Sequence, residues 1–309
     1  MSRVDEAISA RCTMGEDFFG GWDPDDKAIL SRHARGAEPM PGVITDFLGI
    51  RTSASLHPSA TPLHGAVVGD LPIPDDSLRA ETIEYYAVLA SLEAAGPNCF
   101  SFVELGASYA PWSCVAAVLA ERTGRTDYKV VAVEAASYLY NLIRGHLAEN
   151  GIDADSPRIR LIHGAIAAER GRLRFPKVNT PDENGSQIGS GDSDIDYLGR
   201  AVEYEEVEAY PLDQILPDGI VDLIHIDVQG FESIILSSAI DLLDQRVKAI
   251  FIGTHSRKIE GELIELFHAH RWRLVRERPT KFSYQGHLAD AVGWTTRDGG
   301  QYWINQRLG

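Results

Sequence analysis

From residue 100 to residue 277, short apolar runs alternate with longer stretches in which apolar residues return every three or four positions. The runs at 100–105, 129–133, 159–163, 221–227, 247–252 and 272–277 have the composition of strands buried on both faces. The stretches at about 111–122, 136–149, 231–244 and 258–270 have helical spacing, and the second stops on Asn150-Gly151. Further strands are predicted at 171–175 and 206–210, and a short helix around 211–216. Upstream, Ser77 is placed as the N-cap of a helix with Ile83, Tyr86, Ala87 and Ala90 on one face, ending at "AAGPN". The tail "AVGWTTRDGGQYWINQR" reads as an antiparallel terminal pair. Strands alternating with helices at these lengths predict an α/β fold, doubly wound, with a mostly parallel sheet covered on both faces.

The first 80 residues break this pattern. They are rich in Pro, Gly, His and Ser, with helical spacing only near 24–34 and two short strands, or a strand and a bend, in "GVITDFLGIRT". Too little apolar surface is present for independent folding. The chain therefore divides into an N-terminal cap or lid segment, 1–80, and a main domain, 81–309. Residues 179–199 are polar and Gly/Ser-rich and read as a surface loop that can order over a ligand.

Composition narrows the partners. The net charge of −16 argues against nucleic acid and against an anionic membrane surface, because both are held by Lys and Arg. The basic stretch "RWRLVRER" (271–278) fits a solvated strand with Trp272 and Leu274 facing in. "EYEEVE" (203–208) fits a charged strand edge. Cys12, Cys99 and Cys114 show no CxxC spacing, and the chain opens without an apolar signal core, so a cytoplasmic location is expected. A homo-oligomer is compatible with the sequence.

Parallel sheets of this kind bind ligands beyond the carboxyl ends of their strands. The residues there are Glu104–Ser108, Glu134, His163–Ala165, Asp227–Glu232 and Thr254–Ser256. The turn after the first run, "FVELGASYAPWS", carries one glycine where a dinucleotide fingerprint needs three, and Pro111 removes an amide donor. Tyr109 is expected to crowd a pyrophosphate. S-adenosylmethionine has no phosphate and asks for less: one bare backbone position, supplied by Gly106, and an acid for the ribose diol, supplied by Glu134 at the next strand end. The expected cofactor set is Glu104, Gly106, Ala107, Ser108, Glu134, Ala135, Gly164, Ala165 and Asp227. Ala135 would pack on the adenine and the Gly164-Ala165 backbone would meet its edge.

The block "VEAYPLDQILPDGIVDLIHIDVQGFESIIL" (207–236) resembles the FkbM-type methyltransferases. Leu212-Asp213 stands for the family's "tLD", and Ile226-Asp227-Val228-Gln229-Gly230-Phe231-Glu232 for most of its "KIDVEGxE". Upstream, "FVELGAS" is similar to "vvDvGAnxG", "VVAVEA" to "vxafEP" and "LIHGAIA" to "vxnxAls". His225 stands where the family usually has lysine, Gln229 where it has glutamate, and Ala110 at the end of its first glycine motif. The resemblance spans about 100–255. It implies a Rossmann-like methyltransferase sheet, S-adenosyl-L-methionine as cofactor, and a small-molecule acceptor, sugar-like or a secondary metabolite, methylated on a hydroxyl.

An un-ionised alcohol is a poor nucleophile, so a general base is sought at the strand ends. His255 follows the fifth strand; His225 and Asp227, two apart in a strand, project alike. His255, Asp227 and His225 are the catalytic candidates. The bland alternatives are a satisfied core histidine at 225 and a turn-capping acid at 227. No metal is assigned, although Asp227 and His255, with Glu232 a turn away, are donors that a divalent ion would meet. A non-catalytic nucleoside-binding protein of the same fold and a metal-dependent O-methyltransferase stay open as alternatives.

Overall fold

The computed structural model describes residues 20–71, 82–181, 201–288 and 291–308. The chain opens with α1 (Asp26–His33), β1 (Val43–Asp46), β2 (Arg51–Ser53) and β3 (Val67–Val68). Then follow α2 (Thr82–Ala94), β4 (Cys99–Leu105), α3 (Pro111–Arg122), β5 (Asp127–Glu134), α4 (Ser137–Glu149) and β6 (Ile159–His163). A second group comprises β7 (Ala165–Ile166), β8 (Gly171–Pro176), β9 (Tyr204–Tyr210), α5 (Leu212–Ile215) and β10 (Leu223–Ile226). The chain continues through α6 (Glu232–Ser238), α7 (Ile240–Arg246), β11 (Ala249–Thr254), α8 (Arg257–Ala269) and β12 (Trp272–Arg278). It closes with β13 (Lys281–Phe282), β14 (Thr295–Arg297) and β15 (Gly299–Asn305). Ser77, Cys12 and residues 182–199 of the loop lie outside the described residues.

Seven strands form the central sheet in the order β12-β15-β11-β10-β4-β5-β6. All neighbours are parallel except β15, which is antiparallel to both β11 and β12. From β4 the chain winds outward through β5 and β6, then returns to the other side of β4 with β10. The carboxyl ends of β4 and β10 therefore flank the switch point where a ligand crevice forms.

The tail departs from expectation. Its two strands do not pair with each other. β14 pairs with β13, and β15 inserts between β11 and β12. The reason is the burial of both faces of β15. Tyr302 joins the core on one side of the sheet and Trp303 the core on the other, so an edge position would expose one of them. Gly300 permits the insertion, since a Cβ there would lie 2.8 Å from Phe251 and 2.9 Å from Ile83. The expected helix at 231–244 is two helices, broken at Ala239 (φ −116°, ψ 10°). The strands expected at 171–175 and 206–210 form, with β7, a separate three-stranded sheet in the order β7-β9-β8. In it Glu206 and Glu208 of β9 pair with Arg170 and Arg172, and Glu203, just before β9, pairs with Lys177.

The N-terminal segment shares the core of the main domain. Ile29, Leu30, Phe47, Leu48 and Ile50 belong to the cluster that includes Leu89, Phe102 and Trp112. Asp46 is buried and ties the two parts together. Its Oδ1 accepts the amides of Leu48 and Ile50 at 2.9 and 2.8 Å, and its Oδ2 accepts the Tyr85 hydroxyl of α2 at 2.9 Å. Asp26, also buried, pairs with Arg276 of β12 at 2.5 Å. No helix among the described residues is long and apolar enough to cross a membrane.

Asp46→Ala leaves three donors without that acceptor, a loss expected to lower the unfolding free energy by about 3 kcal/mol. Denaturant melts of the full chain read this directly. An unchanged midpoint would mean that the segment is not part of the folded unit.

Candidate functional site

The site starts at a close approach between two strand ends. Gly106 follows β4 with φ +79°, and a Cβ built on it would lie 1.9 Å from the Asp227 carbonyl oxygen. Only glycine fits this position, on both backbone and steric grounds. The amides of Gly106 and Ala107 both donate to the Val133 carbonyl of β5, at 3.0 and 2.9 Å. Ser108 and Ala110 take left-handed backbone, φ 50° and 62°. Ala110 stands where the resembled motif has glycine, and it keeps the glycine conformation at a cost of about 1 kcal/mol.

Glu104 is buried and caps α3 from the neighbouring strand. Its oxygens accept the amides of Trp112 at 3.1 Å and Ser113 at 2.7 Å. Ala110, at the cap position, provides no side-chain acceptor, so the strand carboxylate does this work. Burial pushes the Glu104 carboxyl up to about 7, against the pull of His225 and the two amides. Tyr109 does not crowd the turn, contrary to expectation. Its ring is turned into the N-terminal segment, where its hydroxyl meets His57 Nε2 at 2.9 Å, and it packs edge-on against His146.

Glu134 ends β5 beside this turn. Its Oε2 accepts the Ser108 amide at 2.6 Å and its Oε1 the Ala136 amide at 2.7 Å. Burial raises its carboxyl to about 7, opposed by those amides. An ionised carboxylate has about four acceptor positions, so fixed outward-facing capacity remains. Gly164 lies one position beyond β6. A Cβ there would stand 2.6 Å from the Tyr210 ring and 2.7 Å from the Glu208 carbonyl, so this glycine lets β9 close in.

Asp227 follows β10. Its side chain reaches over Gly253, where a Cβ would lie 3.1 Å from Asp227 Oδ2. Gln229 Nε2 donates to Asp227 Oδ1 at 2.9 Å, a bond that the family's usual glutamate would not make as a carboxylate. His255 Nδ1 lies 2.8 Å from Glu232 Oε1, and its Nε2 lies 3.2 Å from Asp227 Oδ1. Glu232, fully buried, also accepts the amides of Val228 and Gly230. Burial works against charge on both Asp227 and His255. The flanking carboxylates outweigh it for His255, which is raised well above its usual range, and the His255 charge holds Asp227 below its own.

These contacts correct the expectation of a histidine base. His255 is 2 % exposed and lies between two carboxylates, which favour its protonated form over a free general base. His225 is equally buried, stacked on Phe251 at 5.2 Å, with Nε2 3.1 Å from Glu84 Oε1 of α2. That is the bland reading of His225. From the sequence Glu84 was not read as a site residue, and Glu232 only as a donor a turn away from Asp227 and His255. The final acid of the "VQGFE" turn was a usable signal for Glu232. None marks Glu84, which reaches the cluster from a distant helix. Burial pushes the Glu84 carboxyl up, while His225 pulls it down.

The crevice between these strand ends holds about 490 Å³, counting its open mouth. Of the expected cofactor residues, Gly106, Glu134, Ala135, Ala165 and Asp227 line it, with Leu139, Ile166, Phe175, Val228 and Gln229. Glu104, Ala107, Ser108 and Gly164 are not among its walls. Glu104 and Gly164 act one layer back, on the helix start and the strand approach, and the Ser108 amide fixes Glu134. The described N-terminal residues, 20–71, contribute no wall, because they pack on α2, α3 and α4.

Sheet order and switch-point crevice define a doubly wound, Rossmann-like α/β fold. The profile of the methyltransferase FkbM domain matches residues 104–280. A protein of Jannaschia sp. (strain CCS1), described as "Putative methyltransferase", is 32% identical over 250 residues, covering 80% of this chain and 88% of that one. The chain belongs to the FkbM methyltransferase family. Among solved structures, precorrin-6y C5,15-methyltransferase from Geobacter metallireducens GS-15 is 14% identical, with a TM-score of 0.39, over 75% of this chain and 96% of that chain. Methyltransferase FkbM from Methylobacillus flagellatus KT is 14% identical, with a TM-score of 0.38, over 72% and 56%.

Gly106→Ala forces the Asp227 carbonyl away and is expected to cost more than about 4 kcal/mol of stability. A soluble variant with a wild-type denaturation midpoint would show that the two strand ends are not in contact.

Proposed function

We propose that this methyltransferase uses S-adenosylmethionine and transfers the methyl group to a hydroxyl of a small sugar-like or secondary-metabolite acceptor in the cytoplasm. One observation carries the cofactor assignment. The Glu134 carboxylate is locked by the Ser108 and Ala136 amides on the wall of the same crevice as Gly106. A ribose diol placed there would donate to its remaining oxygen positions. Ala135, Leu139, Ile166 and Phe175 supply the apolar surface that an adenine needs. The FkbM family and the acidic far wall at Asp227 support an oxygen acceptor, and the net charge of −16 disfavours nucleic acid.

The reaction is an in-line displacement at the methyl carbon. The chain's contribution is alignment of donor and acceptor, an effect of roughly 7–11 kcal/mol in well-oriented pairs. Asp227, on the wall and held ionised by His255, is the group positioned to accept a hydrogen bond from the acceptor or from the ammonium of the methionine part.

Glu134→Ala is expected to weaken S-adenosylhomocysteine binding by about 10–100-fold, the worth of hydrogen bonds to a charged acceptor. Isothermal calorimetry measures it, and unchanged affinity rejects the ribose assignment. The ribose hydroxyls are donors and favour the ionised carboxylate. Glu134 in the free protein titrates at about 7, so protonation at lower pH competes with the ligand. Affinity is therefore expected to fall as pH drops through 7, by about tenfold from pH 8 to pH 6. This pH slope should vanish in Glu134→Gln; a slope that persists there places the titrating group elsewhere.

A further inference from the structure

The crevice wall nearest Asp227 has a feature that a plain ion pair does not explain. His255 is 2 % exposed, and its Nε2 has no hydrogen-bond partner even though Asp227 Oδ1 lies only 3.2 Å away. The two atoms are close but not aligned for a shared proton. A buried ring nitrogen left so is costly.

We propose that His255 Nε2 and Asp227 Oδ1 are two adjacent ligands of a divalent first-row cation, which takes the place of the Nε2 proton and releases it to solvent on binding. Two donors each about 2.1 Å from an octahedral ion, at right angles, stand about 3 Å apart, close to the spacing seen. The surroundings are those of metal ligands. Metal-bound histidines commonly donate their other ring N–H to a carboxylate, and His255 Nδ1 faces Glu232 Oε1 at 2.8 Å. Glu232 is itself immobilised by the Val228 and Gly230 amides. The ligand carboxylate is also oriented, since Gln229 Nε2 donates to Asp227 Oδ1 at 2.9 Å. Each of Asp227, Glu232 and His255 presents a donor atom within 4.8 Å of the others. The bare Gly253 gives the Asp227 carboxylate its place.

The donor set selects the ion. One imidazole with carboxylate oxygen favours manganese or another first-row ion over magnesium, which prefers oxygen alone. Asp227 is 37% exposed at its side chain and lines the crevice, so the remaining coordination positions open toward the ligand side. This role rests on the methyl-transfer reading above. The ion would hold the acceptor hydroxyl and lower its pKa, a task for which neither histidine is placed. The acceptor O–H releases its proton to water and the oxygen forms a bond to the methyl carbon. The methyl–sulfur bond breaks with its electron pair left on sulfur, giving the neutral thioether.

The test is a titration of the metal-free full-length protein with Mn2+, followed by electron paramagnetic resonance. One tight equivalent per chain is expected, with spin-echo modulation from a directly bound imidazole nitrogen. Asp227→Asn, which keeps shape and leaves the His255–Glu232 pair intact, should weaken binding at least tenfold while the far-ultraviolet circular dichroism stays that of the folded protein. Absence of a stoichiometric site, or a spectrum with no nitrogen coupling, overturns the proposal. S-adenosylhomocysteine calorimetry on the same sample separates the two claims. Cofactor binding without Mn2+ binding removes only the cation site; Mn2+ binding without cofactor binding keeps the cation site and removes the methyl-transfer reading.

Discussion

The approach of the Asp227 carbonyl to the Cα of Gly106 sets the geometry of the whole switch point. With no room for even one methyl group between them, the ends of β4 and β10 are held at a fixed separation. That contact places the Asp227 side chain on one wall of the crevice. It also aims the chain after Gly106 past Glu134 on the other. Everything assigned to the site follows from strand ends whose distance is set by backbone contact rather than by adaptable side chains.

Buried carboxylates are the second organising feature. Asp46, Glu104, Glu134 and Glu232 are each withdrawn from water, and each accepts two or more backbone amides. The amides at turns and helix starts would otherwise lack partners, and their dipoles offset the cost of burying the acid. The arrangement makes loops rigid through ionic acceptors instead of glycine-rich turns. It leaves the carboxylates of Glu134 and Asp227 on the walls of the crevice. Glu134, at the end of β5, and Glu232, at the start of α6, each grip their own turn; Glu134 does so on the crevice wall and Glu232 beside the His255 ring.

The N-terminal segment is bound into this scheme from behind. Its apolar residues share a core with α2 to α4, Asp46 fastens to α2, and Tyr109 of the site turn reaches back to His57. A residue read in isolation as an obstacle to the ligand is in fact an anchor of the turn. The crevice wall opposite Glu134 is formed by Asp227 and Gln229, with Glu232 behind them.

The periodic apolar runs were sufficient to order the strands and helices from 100 to 277, because strands buried on both faces and amphipathic helices carry their own signatures. Gly106, Glu134 and Asp227 were legible for a related reason: each follows or ends such a run, and parallel sheets place those ends together. What the linear chain left undecided was every question of who faces whom. Glu104 could orient the loop or meet a ligand, and only the packed sheet shows it meeting the free amides of α3. His255 was the first candidate base and His225 either a second one or a core residue, and the fold stacked His225 on Phe251 and set His255 between two acids. Tyr302 and Trp303 forced β15 into the sheet because both of its faces are covered, a consequence of two cores that meet only in three dimensions. Side-chain direction and charge environment depend on contacts between residues far apart in sequence, so the tertiary structure alone could decide them.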